Sequence, residues 1–126
     1  MLLTYLVNES NQHYADLDIQ FSSTKDIDLF NDTKTLTRRF GDKRAKLIRR
    51  RLDELRAADT LEDMRGIGRC HELSGDKKYI LSVDLDGPYR LLFKSGHHPI
   101  PQKPDGGLDW PEVTLIMILN VEDTHG

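Results

Sequence analysis

The sequence has a single cysteine, Cys70, and cannot form an internal disulfide, which is typical of proteins of a reducing cytoplasm. It also lacks any run near the roughly 18 consecutive apolar residues that a membrane span requires. The apolar start, residues 1–7, has neither the basic flank nor the cleavage site of a signal peptide. These absences predict a cytoplasmic protein that does not contact membranes. Cys70 is expected to be a small buried residue rather than a nucleophile.

Motifs for metals and cofactors are absent as well. No cysteine or histidine spacing resembles that of a zinc site, and there is no phosphate-binding loop, dinucleotide glycine fingerprint or serine elbow. We therefore expect no metal and no cofactor. His97 and His98 fall in residues 95–111, which contain four of the five prolines, and they are predicted to lie on a loop surface.

Positive charge is scarce outside one segment. The net charge is −3, but residues 34–56 contain ten lysines and arginines against three acids, which gives this segment a charge of +7. Such a segment is either a solvated helix face or a local field for a polyanion or an acidic partner. The charge pattern alone favours neither.

Two consecutive helices are predicted after the first strand. Ser23 is predicted to cap the first helix, which ends at Gly41 because glycine adopts left-handed backbone conformations at little cost. Asp42 is predicted to cap the second helix. Its lysines and arginines surround an apolar stripe that repeats at steps of three and four residues. The stripe consists of Ala45, Ile48, Leu52 and Leu55.

The rest of the chain has the period of two that is typical of strands. Asp86 and Gly87 predict a tight hairpin turn. The last strand is mostly apolar, which predicts a central strand buried on both faces. The order of elements predicts an α+β domain in which two helices pack on a mainly antiparallel sheet of four to five strands. The predicted strands are residues 17–22, 70–73, 79–85, 89–93 and 113–121.

Polar residues near the strand ends are candidates for chemistry. Arg90 falls where a strand should carry an aliphatic residue, and His71 begins another strand. If the strands share one sheet, these two residues line one face, with His125 nearby. A guanidinium suits the charge on a scissile phosphate, and an imidazole suits proton transfer. The group fits metal-free RNA cleavage, although Arg90 can equally pair with a buried carboxylate and His125 can be a frayed terminus.

Two stretches resemble a known signature. Residues 69–78, R-C-H-E-L-S-G-D-K-K, resemble the R-x-H-x-L-K-G-D-R-K-G pattern of RelE/ParE-superfamily toxins of the HigB branch. Residues 82–91, S-V-D-L-D-G-P-Y-R-L, resemble the S-[IV]-x-[VL]-x-G-x-[YW]-R part of the same signature. The ending, residues 121–126, is similar to the family's terminal [IV]-x-D-Y-H. The resemblance covers residues 17–126 as one domain and leaves residues 1–16 as an N-terminal extension.

The resemblance implies a RelE-like fold, two helices on a curved antiparallel sheet, and ribosome-dependent cleavage of mRNA. It also implies neutralisation by a helix-turn-helix antitoxin of the HigA type, with operator DNA bound only through the toxin–antitoxin complex. By motif position, the implied catalytic residues are His71, Arg90, Asp123 and His125. The implied RNA contacts are Arg69, Lys77 and Lys78 and, on the basic helix, Lys43, Lys46, Arg49 and Arg50.

Three departures from the family pattern keep alternatives open. Ser74 replaces a lysine, Thr124 replaces a tyrosine, and Tyr79 and Leu81 replace a glycine and a tryptophan. A positioned acid or base is typically worth about 10²–10⁴-fold in rate. An attenuated toxin that acts mainly as an antitoxin-binding co-regulator therefore stays open. So does a ParE-like toxin that binds DNA gyrase and needs no acid–base pair.

Overall fold

A computed structural model describes residues 17–124 of the chain. The predicted extension, residues 1–16, and His125 lie outside the described residues. The described part is α+β, as predicted. Its helices are α1 (Thr24–Asn31), α2 (Thr33–Phe40) and α3 (Asp42–Ala57), and its strands are β1 (Asp18–Phe21), β2 (His71–Glu72), β3 (Ile80–Asp84), β4 (Tyr89–Ser95) and β5 (Leu115–Asp123).

The first predicted helix is divided in two at Asp32. Ser23 caps α1 as predicted, because its side chain accepts a hydrogen bond from the backbone N–H of Asp26. Asp32 is extended, with φ −111° and ψ 112°. Its carboxylate accepts hydrogen bonds from the backbone N–H of Lys34 and the hydroxyl of Thr35. Aspartate in this position starts a helix, so residues 17–124 form three helices rather than the two predicted.

Gly41 ends α2 as predicted. Its φ of 84° and ψ of 162° belong to a region that glycine adopts readily, and its N–H donates to the carbonyl of Thr37. The prediction that Asp42 caps the next helix is wrong, since Gly41 occupies the cap position and Asp42 is the first residue of α3. Its charge still suits a helix N-terminus. The four stripe residues of α3 are buried, as predicted.

The five strands form one sheet in the order β1-β5-β4-β3-β2. Three neighbouring pairs are antiparallel, which confirms the mainly antiparallel prediction, while β1 and β5 are parallel. The predicted turn at Asp86 closes the β3–β4 hairpin, with the N–H of Tyr89 donating to the carbonyl of Asp86 at 2.9 Å. Parallel strands need a long connection, and between β1 and β5 the chain passes through the three helices and the other three strands.

The helices cover one side of the sheet, which we name the helix-facing side. Alternate strand residues on this side join the α3 stripe in a single core. β5 lies inside the sheet as predicted, but it is not buried on both faces. Ile116 and Ile118 are fully buried whereas Leu115 and Met117 are only partly so, because helices pack on one face alone. The strand residues of this core include Leu81, Val83, Leu91, Phe93, Ile116 and Ile118.

Candidate functional site

Most of the predicted catalytic and RNA-binding strand residues lie on the side of the sheet turned away from the helices. Side chains alternate along a strand, so residues between core positions point to this other side. The register pairs His71 with Ser82. Two residues further along β3, it pairs Asp84 with Arg90, and Arg90 in turn with Glu122. We name this side the outer face. It carries His71, Ser82, Asp84, Arg90, Leu92 and Glu122.

The structure brings His71 and Arg90 to one face, as the sequence predicts, but not into contact. Their Cα atoms are two strand spacings and two residues apart, which is roughly 12 Å. Within residues 17–124, no hydrogen bond or ion pair joins the two side chains. Any group that contacts both side chains must therefore span the gap between them.

The imidazole of His71 is exposed and oriented by the backbone. Its Nδ1 lies 2.7 Å from the carbonyl oxygen of Arg69. A carbonyl oxygen only accepts hydrogen bonds, so this contact assigns the proton to Nδ1. In the neutral ring, Nε2 then carries the free lone pair. This is the tautomer that a general base requires.

Arg90 is held at the start of β4 with only 18% of its side chain exposed. Its Nη1 donates to the carbonyl oxygens of Gly87 and Tyr89 at 3.0 and 2.9 Å. Its Nε lies 2.9 Å from Oδ1 of Asp84. The structure thus shows the pairing with a carboxylate that the sequence analysis left open for Arg90.

Asp84 lies at the centre of this site, and sequence analysis missed it. Its Oδ2 accepts a hydrogen bond from Nε of Arg69 at 2.9 Å, while Oδ1 faces Arg90 without accepting a well-formed hydrogen bond from the described residues. Its backbone N–H donates to Gly68 at 2.7 Å, and its carbonyl accepts from Nε of Arg51 at 2.8 Å. Asp84 therefore connects the 66–69 loop, α3 and β4.

A sequence signal for Asp84 does exist. It is a charged residue near the end of a period-two strand, two residues before the predicted hairpin turn at Asp86. Residues that face each other across such a hairpin interact, and opposite charges there are favourable. Pairing Asp84 with Arg90 needs the register of the turn, which the sequence pattern alone leaves open.

The loop before β2 is shaped for the Arg69–Asp84 contact. Arg69 has a φ of 50° and Gly68 a φ of 55°, and a left-handed conformation costs about 1–2 kcal/mol in a residue with a Cβ. A Cβ at Gly68 would lie 2.7 Å from Cγ2 of Val83 and 2.9 Å from Cζ of Arg51. Glycine is therefore required here. The side chain of Arg69 emerges 69% exposed.

Of the two predicted RNA-binding lysines after β2, only Lys77 reaches across the outer face. Its Nζ lies 3.5 Å from Oε1 of Glu122 on β5. Lys78 is exposed and lies beside the ring of Tyr79, 5.0 Å from its centroid. Ser74 begins this turn, is exposed, and makes no capping hydrogen bond with its side chain. The turn thus supplies one cation to the outer face.

The C-terminal residues divide between the two sides of the sheet. Glu122 stands opposite Arg90, whereas Asp123 stands opposite Tyr89. Strand alternation therefore places Glu122, and not Asp123, beside Arg90 on the outer face. The backbone N–H and the hydroxyl of Thr124 both donate to the carbonyl of Pro88, at 2.9 and 2.8 Å. This contact fastens the end of β5 to the hairpin turn.

The cations of α3 serve two different purposes. Arg44 donates two hydrogen bonds to Asp86, at 2.9 and 3.1 Å, and its Cζ lies 3.4 Å from the centroid of the Tyr89 ring. The hydrogen bond from Arg44 lowers the pKa of Asp86 below its ordinary value. Arg44 is thus structural.

Of the predicted RNA contacts, Lys43, Lys46 and Arg50 are exposed, and Arg49 is half-buried with Nη1 lacking a hydrogen-bond partner in residues 17–124.

The basic surface of α3 and the outer face are separate. α3 packs its apolar stripe on the helix-facing side, so its solvent-facing cations lie on the side of the molecule opposite Arg90. The structure therefore does not merge the predicted RNA-binding residues into one patch. They form an α3 surface and an outer-face surface with the sheet between them.

The remaining candidates have structural roles. Cys70 is 9% exposed, and burial raises the pKa of its thiol to about 12, which confirms the prediction that it is buried. His98 is exposed as predicted, but His97 is half-buried and its Nε2 accepts from the N–H of Thr114 at 3.0 Å.

In the described part of the chain, no three His, Cys, Asp or Glu side chains cluster as metal ligands. No described helix is long and apolar enough to cross a membrane.

The outer face can bind an anion and move a proton. Three cations, Arg69, Lys77 and Arg90, stand against two carboxylates, which leaves a positive charge beside a histidine whose Nε2 has no hydrogen-bond partner among residues 17–124. Guanidinium groups bind phosphate oxygens well. No protein-family model matches the chain, and no curated protein is significantly similar to it.

Proposed function

We propose that the protein is a toxin of the RelE/HigB type with a RelE-like fold, a metal-independent endoribonuclease that cleaves mRNA on the ribosome. The observation that carries the proposal is the arrangement of Arg90 and His71. Both lie on the outer face, and a carbonyl group orients the imidazole so that Nε2 is free. The helices occupy the other side of the sheet, and His71 and the side chain of Arg69 are exposed at this face.

The proposed reaction uses the RNA's own 2′-hydroxyl as the nucleophile. The 2′-oxygen attacks the adjacent phosphorus, the bond from phosphorus to the 5′-oxygen breaks, and the products are a 2′,3′-cyclic phosphate and a 5′-hydroxyl. Nε2 of His71 takes the proton from the 2′-hydroxyl. The guanidinium of Arg90 stabilises the charge that develops on the non-bridging oxygens. By the resemblance, His125, with Asp123 beside it in the motif, protonates the leaving 5′-oxygen.

The two basic surfaces suggest two nucleic-acid contacts. On the outer face, Arg69 and Lys77 would contact the mRNA, and Lys78 borders that face. On α3, the exposed cations Lys43, Lys46 and Arg50 would contact ribosomal RNA, with affinity that falls as salt rises. The proposed cellular partner is a helix-turn-helix antitoxin, with operator DNA bound only through their complex in the cytoplasm.

The proposal is tested by mapping mRNA ends on translating ribosomes after induction, with and without the cognate antitoxin. Wild type should produce new 5′ ends within coding sequences. Arg90→Ala and His71→Ala should produce none, while Lys103→Ala, a change at a half-exposed loop residue, should cleave like wild type. Intact mRNA with folded wild-type protein would defeat the proposal. Persistent toxicity of Arg90→Ala with inhibited DNA supercoiling would favour the gyrase-binding alternative.

A second candidate is an attenuated toxin that acts mainly as an antitoxin-binding co-regulator. The observation that favours it is the occupied state of Arg90, whose guanidinium contacts one carboxylate and two carbonyl oxygens. The hydroxyl of Thr124 is also engaged, and Ser74 provides no cation. Under this candidate, the double variant Ser74→Lys, Thr124→Tyr should raise the rate of mRNA cleavage by at least about tenfold. An unchanged rate would remove the candidate.

A further inference from the structure

We propose that the carboxylate of Asp84 occupies an anion site between Arg69 and Arg90, and that a phosphate group displaces it when ligand binds. The site is thus self-occupied in the free protein, and Asp84 lowers its affinity for RNA. The identity of the anion as an RNA phosphate rests on the proposed function. The existence of the site rests on the geometry alone.

The carboxylate stands where a phosphate would stand between two guanidinium groups. Each of its oxygens faces a different arginine, with both Nε atoms at 2.9 Å. Guanidinium groups bind carboxylate and phosphate oxygens in the same way, through N–H groups directed at an anionic oxygen. Two cations on one carboxylate leave an excess positive charge, which attracts a second anion to the same place.

The contacts of Asp84 are of a kind that can be exchanged. Its Oδ1 accepts no well-formed hydrogen bond, although it is buried, so the contact with Arg90 is weaker than its length suggests. Arg69 is mostly exposed. Arg90 stays in place without the carboxylate, because the carbonyl oxygens of Gly87 and Tyr89 hold its Nη1. Displacing the carboxylate therefore leaves a formed anion site.

The neighbouring loop supports the same inference. Arg69 has a strained, left-handed backbone, and Gly68 admits no side chain. Backbone strain of this kind concentrates at ligand-binding sites. Here it holds an exposed guanidinium beside the one carboxylate that Arg90 also contacts.

The test uses a fluorescent single-stranded RNA hexanucleotide that carries 2′-O-methyl groups and cannot be cleaved. Asp84→Asn removes the negative charge at nearly constant shape, and it should bind this probe about three- to tenfold more tightly than wild type at low salt. Combining it with Arg69→Ala should abolish the gain. Two controls make the same change in net charge. Asp105→Asn, in an exposed loop, and Asp86→Asn, at the other arginine pair, should each stay within about twofold of wild type.

The backbone contacts of Asp84 with Gly68 and Arg51 do not use its carboxylate, so Asp84→Asn should fold, which thermal unfolding verifies. Asp84→Thr removes the same negative charge and introduces threonine, a residue that is common in β-strands. Unchanged or weaker probe binding in either folded variant overturns the inference. The single variant Arg69→Ala, with Asp84 unchanged, should weaken binding of the probe about threefold. Wild-type affinity in that variant also overturns it.

The inference and the proposed function can fail separately. If wild type leaves mRNA intact on ribosomes while Asp84→Asn binds the probe more tightly, the nuclease is refuted and the anion site stands. If wild type cleaves mRNA while Asp84→Asn gains no affinity, the anion site is refuted and the nuclease stands.

Discussion

Two clusters of arginine and aspartate lie at one hairpin, one at its turn and one across the adjoining strands, and they are held differently. Arg44 meets Asp86 through two hydrogen bonds and stacks on the ring of Tyr89. Asp84 divides its carboxylate between two arginines, and one of its oxygens accepts no well-formed hydrogen bond. The first cluster fastens α3 to the turn. The second lies on the outer face, where Glu122 also stands opposite Arg90.

The ion pairs of the two clusters differ in their geometry and not in the length of their contacts. All three pairs have a shortest distance of 2.9 Å. A bidentate, stacked pair holds both partners in one geometry and so contributes to stability. A carboxylate shared between two arginines is held less firmly, which is suited to exchange with a ligand.

The largest expected effect is the loss of cleavage in Arg90→Ala. Removing the group that stabilises transition-state charge should lower the single-turnover rate on ribosome-bound mRNA by about 10²–10³-fold. Arg44→Ala, a matched loss of a guanidinium on the other side of the sheet, should keep the rate within about threefold when assayed below its unfolding temperature. An equal loss in both variants would erase the distinction between the clusters.

The next effect concerns the loop that presents Arg69. In Gly68→Ala the new methyl group meets Val83 and Arg51 at a left-handed residue, so the free energy of unfolding should fall by about 3 kcal/mol. Gly66→Ala shares the positive φ but meets nothing within 4 Å, and should cost only about 1 kcal/mol. Urea unfolding measures both. Equal losses would show that the close packing at Gly68 is relaxed in solution.

A smaller effect separates the clusters by stability. Arg44→Ala should lower the free energy of unfolding by about 2 kcal/mol, because it removes a bidentate pair and a stacked contact and leaves Asp86 without its main partner. Arg69→Ala should lower it by less than about 1 kcal/mol, since the arginine is 69% exposed. Chemical denaturation of both variants checks this order, and the reverse order would contradict it.

The smallest effect is a dependence on pH. Arg44 lowers the pKa of Asp86 in the folded state, so this group stabilises the fold above the unfolded value of about 3.9, and the contribution is lost as pH falls through the lowered pKa. The stability difference between wild type and Asp86→Asn should be full near about pH 6 and smaller near about pH 3. A difference that does not change over this window would show that the carboxylate's charge is not involved.

Much of the fold followed from local patterns. The cap at Ser23, the end of a helix at Gly41 and the turn at Asp86 depend on side chains and backbone within a few residues, and all were predicted correctly. The break at Asp32 was missed because apolar spacing continues across it. The sequence signal was Asp32 itself, because aspartate is a common residue at the start of a helix. In the structure its carboxylate accepts a hydrogen bond from the hydroxyl of Thr35.

The site was predicted less completely. Placing Arg90 and His71 on one face needed only strand alternation and a shared sheet. Asp84 was missed, and so was Glu122, which the register places opposite Arg90. A shift of one residue in register moves every side chain to the other face. The pattern of a strand does not reveal that shift.

The sequence by itself determined where helices and strands form, which helix is basic, and which residues could carry proton transfer and phosphate binding, because these properties depend on neighbours along the chain. Only the tertiary structure decided that Asp84 sits between Arg69 and Arg90, and that the α3 cations lie across the sheet from them. These relations join residues on separate elements of the chain, and they are set by the register of the strands and by the side on which the helices pack.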